Sequence, residues 1–190
     1  MAENSQLQIQ ALSITRSGGR ITELSVGRGQ VRLRLRPLTN PGTRIEIHTP
    51  AGVSGVRGTV FGVSVQPNGQ SGIATSEGSV AARAQGQTVQ VGANLQSLIA
   101  PGEPPPPPEP LRDDATLFIE RLIPIAGRSA VRVVGSTDVV NLLTIAEQPQ
   151  SLDRQGRFDI EVALSSSARR IRAVVITPLG TEQAYELVVP

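Results

Sequence analysis

The stretch VRGTVFGVSV, residues 56–65, decides the fold. From Val60 onward it alternates as a half-buried β-strand does, with Phe61, Val63 and Val65 on one side and Val60, Gly62 and Ser64 on the other. Arg57-Gly58-Thr59 stands at its start, either as a catalytic or ligand-gripping group or as structural punctuation.

The same rhythm of short apolar runs and turn residues continues on both sides of this stretch. VRLRLR (31–36) and RIEIH (44–48) precede it, separated by PLTNPGT. QPNGQ follows, and its Asn68-Gly69 is a strong hairpin signal. GIAT (72–75), GSVAARA (78–84), QTVQV (87–91) and NLQSLI (94–99) come next, punctuated by Gly78, Gly86 and Gly92. Strands this short and regular, with no helical period, predict an all-β sandwich, barrel or small solenoid.

The rhythm breaks at APGEPPPPPEPLRDD (100–114), where five consecutive prolines, 104–108, lack N–H donors and fix φ. Such a run favours a stiff polyproline II spacer with few contacts crossing it; the alternative is a loop packed on one domain. Strand-like runs then resume: TLFIERLI (116–123), AVRVVGS (130–136), NLLTIA (141–146), RFDIEVAL (157–164), RRIRAVVIT (169–177) and AYELVVP (184–190). Six or seven strands over 115–190 is the scale of a small immunoglobulin-like sandwich. The expected organisation is an N-terminal extension or first strand (1–21), a β-domain (22–100), a proline-rich linker (101–114) and a β-sandwich (115–190).

Composition narrows the chemistry. All 18 basic residues are Arg, against 16 acids, for a net charge of +2. With no Lys or Cys and only one His and one Tyr, little titrates between the carboxylates and the arginines, so a small excess of Arg drives the isoelectric point to about 10.3. Near-neutrality and 2% aromatic residues argue against nucleic acid as a partner. No run of about 20 apolar residues is present to span a membrane as a helix, and MAENSQLQIQ has no signal-peptide pattern. The absence of Cys excludes disulfides and thiolate chemistry.

Candidate catalytic groups are sparse. His48, in IEIHTP, would have to serve any His-based catalysis or metal site, but its place in an alternating run reads as a plain strand residue. Asp113-Asp114 ends the linker, and Asp153 and Asp159 flank a turn of the kind Asp favours. Neither an enzyme activity, a metal nor a cofactor is expected. Arg32, Arg34 and Arg36 alternate along one strand face, spaced about 6.6 Å apart. They read as a ladder for an anionic partner, or as a solvated face whose charges pair with Glu46 or another acid.

Residues 22–100, most closely 48–99, resemble the FecR domain family. The resemblance rests on Thr49-Pro50, Val56-Arg57-Gly58-Thr59, Gly78-Ser79-Val80 and Val91-Gly92 in that order. It implies an all-β, non-enzymatic domain working outside the cytoplasm, periplasmic or secreted. The sigma-binding and membrane-spanning helices of the family's signalling regulators are not found in this sequence, so that role does not carry over. Arg57, Gly58 and Thr59 then read as structure: Gly58 permits a close approach, Arg57 ties carbonyls or a carboxylate, and Thr59 opens the strand. The C-terminal stretch resembles a bacterial Ig-like domain. The expected function is an interaction or sensing module of the bacterial envelope that binds another envelope protein, or alternatively an envelope glycan such as peptidoglycan.

Overall fold

A computed structural model of the chain describes residues 5–16, 18–40, 42–56, 58–164 and 170–189, and every regular element among them is a strand. The first half contributes β1 (Gln6–Ile14), β2 (Arg20–Arg34), β3 (Arg44–Thr49), β4 (Gly52–Val56), β5 (Val60–Val65), β6 (Ser71–Glu77), β7 (Ser79–Ala84), β8 (Gln87–Gly92) and β9 (Leu95–Ile99). After β10 (Glu109–Pro110) come β11 (Phe118–Pro124), β12 (Ala130–Ser136), β13 (Leu142–Ile145), β14 (Gln148–Gln150), β15 (Arg157–Ala163), β16 (Arg170–Ile176) and β17 (Glu182–Val188).

The strands up to β10 form one curled sheet in the order β10-β9-β6-β5-β2-β3-β4-β7-β8, with β1 added to β2. β2 produces the curl because its two ends have different partners. Residues 21–25 pair in parallel with β3, and residues 29–34 pair antiparallel with β5. The sheet closes over a core of Val26, Ile47, Val56, Phe61, Val63 and Ile73, joined by Val80, Val91 and Ile99. Asn68-Gly69 turns β5 into β6: Gly69 N donates to Gln66 O at 2.9 Å, and Gln66 N to Gln70 O at 2.9 Å. The second half is a sandwich of β11-β12-β15 on β14-β13-β16-β17. Its own core includes Val131, Val133, Leu143, Ile145, Phe158 and Ile171. Aliphatic side chains dominate both cores; each fully buried Val, Leu or Ile contributes about 1.5–3 kcal/mol.

Two expectations are corrected. β5 is buried on both faces from Val60 to Val65, where the sequence predicts a half-buried strand. Phe61, Val63 and Val65 fill the first core, while the second half of the chain covers the face of Gly62 and Ser64. The proline run is not a bare spacer with few contacts across it. It doubles back, so that β10 pairs with β9 and Leu111 N donates to Asn94 O at 2.9 Å. Pro105 is buried. Prolines suit this course because they cover a sheet edge without offering donors that would extend it.

Candidate partner-binding surface

The outer face of β5 and its neighbours is a stripe of small and amide side chains. Gln30, Ser64, Gln66, Gln70, Ala74 and Gln96 are all buried there. Each of the four glutamines spends its amide on the second half. Gln30 Nε2 donates to Pro178 O at 2.6 Å, and Gln70 Nε2 to Leu152 O at 2.8 Å. Gln66 Nε2 donates to Val139 O at 2.8 Å and Asn141 O at 3.1 Å, and its Oε1 accepts from Leu152 N at 3.1 Å. Gln96 Nε2 donates to Asp138 Oδ1 at 3.0 Å, and Arg112 Nε lies 2.8 Å from Asp138 Oδ2. Ser64 Oγ donates to Val140 O at 2.5 Å. Gly62 makes the fit: a Cβ there would overlap the carbonyl of Pro178. Docking satisfies the amide N–H groups of these buried glutamines and Gln66 Oε1, while Gln70 Oε1 stays buried without a hydrogen-bond partner.

Val56, Gly58 and Thr59 of the Val-Arg-Gly-Thr motif lie between β4 and β5 or at their ends. Val56 is 1% exposed within the first core. Gly58 has φ of +107°, and a Cβ there would come within 2.5 Å of Pro37 Cα. Thr59 O accepts from Leu35 N at 2.9 Å. A Cβ on Gly78 would stand 2.7 Å from Gly58 O, so the two glycines bring their turns together. Thr49 Oγ1 donates to Gly52 O at 3.1 Å across the turn containing Pro50. Arg57 lies outside the described residues.

Arg32 and Arg34 are on β2, opposite Gly62 and Val60 of β5; Arg36 lies just past the strand's end. All three are exposed, and no ion pair joins them to another described residue. Glu46, one acid expected to pair with them, is engaged by Arg44 Nε at 2.7 Å. His48 Nε2 stands 3.9 Å from Glu46 Oε2. Among the described residues no group of three His, Asp or Glu side chains is arranged to hold a metal.

The acids singled out in sequence are engaged locally. Asp113 accepts from Thr177 Oγ1 at 2.5 Å and Thr181 Oγ1 at 3.2 Å. Asp114 accepts from the hydroxyl and amide of Thr116, and those two bonds hold its carboxyl below the ordinary value. Asp153 Oδ1 caps the 153–157 turn through Gln155 N and Arg157 N, each at 2.8 Å. Asp159 belongs to β15 instead, where it pairs with Arg132.

A feature that sequence reasoning missed is the cleft between the halves, about 880 Å³ in volume. Gly27, Arg28, Pro50 and Asn68 form one wall, and Thr144, Glu147 and Pro149 contribute to the other. Its residues are too far apart in sequence to form a motif. A second cleft of about 270 Å³ lies where the prolines pass Gln96 and Val140.

Residues 1–81 match the family model described as FecR protein. The match overlaps the resembling stretch from residue 22, takes in β1, and stops before β8. No curated protein matches the chain. Two solved structures described as an anti-sigma factor from Parabacteroides distasonis ATCC 8503 align with it at TM-scores of 0.44 and 0.41 and identities of 15% and 11%. The alignments cover 57% and 56% of this chain but only 49% and 60% of those chains, so it spans about half to three fifths of their length. No helix among the described residues is long and apolar enough to cross a membrane.

Proposed function

We propose that the chain is a non-enzymatic interaction or sensing module of the bacterial cell envelope, working outside the cytoplasm and binding another envelope protein. The FecR match over residues 1–81 supports this reading. The observation that carries it is the row of Arg32, Arg34 and Arg36, exposed and joined by no ion pair among the described residues. Guanidinium groups of this kind bind carboxylates through paired donors, so the row suits an acidic surface on the partner. In this reading residues 22–100 form the recognition domain and 115–190 an Ig-like support, and the 101–114 segment straps the two together. Arg57, Gly58 and Thr59 serve the fold of the recognition domain.

The test is capture from envelope extract with the wild-type chain and with Arg32→Ser/Arg34→Ser/Arg36→Ser. Wild type is expected to retain a protein whose binding weakens as salt rises, and the triple variant is expected to lose it. Capture of nothing, or equal capture by both, overturns the proposal. Binding to purified sacculi that the triple variant loses would replace the protein partner with a glycan.

A further inference from the structure

We infer that β1 is the docking edge for an extended segment of the partner protein, apolar in its middle and acidic at both ends. The inference rests on the proposed binding of an envelope protein and locates a second contact with it. β1 pairs only with β2, so its outer edge has no strand partner among the described residues. Its register sets Leu7 opposite Val26, Ile9 opposite Leu24, Leu12 opposite Thr22 and Ile14 opposite Arg20. Cross-strand partners project to the same side of a sheet. The register shift between Ile9 and Ala11 inserts Gln10 as a bulge and resets the alternation. Leu7, Ile9, Leu12 and Ile14 therefore share the side of Leu24 and Val26, which faces the core. Without the bulge, Ile9 would point away from Leu12 and Ile14.

Leu7 packs on the core, but the other three lie past its margin. Ile9 is 62% exposed, Leu12 72% and Ile14 75%, half of the six large apolar side chains left exposed among the described residues. Apart from the Gln10 bulge, the strand lacks the usual protections of an edge, having no charged residue and no proline. The sheet's β9 edge, by contrast, is covered by the proline run.

Charge selects the occupant. Arg16 and Arg20 stand at one end of the strand, Arg28 lies opposite Gln6 at the other, and no ion pair joins any of them to a described residue. Pairing two copies of β1, parallel or antiparallel, would set arginine beside arginine. A bilayer would satisfy the arginines but would leave the edge N–H and C=O groups unbonded in hydrocarbon. A strand from another protein bonds those groups, sets apolar side chains beside Ile9, Leu12 and Ile14, and pairs its terminal acids with the arginines.

The probe is a synthetic peptide with an alternating Ile/Thr centre and two glutamates at each end, compared with the same peptide carrying lysines. Binding to the purified chain is measured for wild type, Leu12→Glu and Arg32→Ser/Arg34→Ser/Arg36→Ser. The glutamate peptide is expected to bind wild type and the triple variant alike. The lysine peptide is expected to bind at least about tenfold more weakly. Leu12→Glu is expected to lose binding with an unchanged thermal melt, since Leu12 is mostly exposed. Equal binding of both peptides, binding of neither, or retention by Leu12→Glu overturns the inference. So does a purified dimer that Leu12→Glu dissociates, or sedimentation of the chain with phosphatidylglycerol vesicles. Failure of envelope capture with peptide binding intact would count against the arginine row alone.

Discussion

Gly58 shows how a single residue is committed by its backbone. Its φ of +107° is strained for any L side chain, and a Cβ would press on Pro37 Cα at 2.5 Å. Gly58→Ala is expected to cost about 1–3 kcal/mol in a denaturant melt, from strain and crowding together. Asp159 belongs to the same scale. The paired hydrogen bonds from Arg132, at 2.7 and 2.5 Å, and the attraction of that charge hold its carboxyl below the ordinary carboxylate value. A group depressed in the folded state stabilises above its unfolded pKa, about 3.9 for Asp, and the contribution is lost as pH falls through the lower folded value. Asp159→Asn is expected to be less stable than wild type at neutral pH and low salt. Thermal melts across pH should show the gap closing below that range, and high salt should narrow it at any pH because the pair is exposed. The special conformation of Gly58 was legible in Val-Arg-Gly-Thr. The Asp159 pair was not, because Arg132 meets it only through the register of β12 with β15.

At the scale of elements, β5 is where the two halves meet. Its apolar alternation was plain in the sequence, but a strand with Gly and Ser on its second face reads as half-solvated. That face is buried because Gly62 and Ser64 are small enough to admit the 177–181 turn and Val140. Gln66→Ala would orphan two carbonyls and an amide of the second half. Loss of about 1–3 kcal/mol for each buried group left unpaired is expected, read in a denaturant melt of the whole chain. Gly62→Val is expected to lift the 177–181 turn off β5 and split one thermal transition into two. A single unshifted transition would mean the seam contributes nothing to cooperativity. β4 escaped sequence reading because GVSGV is weak as a strand; it is held between β3 and β7, whose pairings supply what its propensity lacks. β10 and β14 escaped it because each is short and carries a proline.

At the scale of the whole molecule, the described residues form two hydrophobic clusters, one before the proline run and one after it, joined by a polar seam. A protease site placed within residues 104–108 is therefore expected to cut the chain without parting it. The two fragments should co-elute on size exclusion at neutral pH, and Gln66→Ala/Gln96→Ala should release them. Separate elution of the wild-type fragments would show that the strap, not the seam, holds the halves together. The all-β class, the Asn68-Gly69 hairpin, the aliphatic cores and the special backbone at Gly58 are written in the amino-acid sequence. Those follow from alternation, turn chemistry and steric rules that act over a few residues. The tertiary structure alone decided the burial of both faces of β5, the return of the prolines along β9, the cleft between the halves and the apolar overhang of β1. Each depends on which distant segments come together, and amides such as Gln30, Gln66, Gln70 and Gln96 look like surface residues until backbone carbonyls, or for Gln96 the Asp138 carboxylate, arrive from more than 40 positions away to accept their hydrogen bonds.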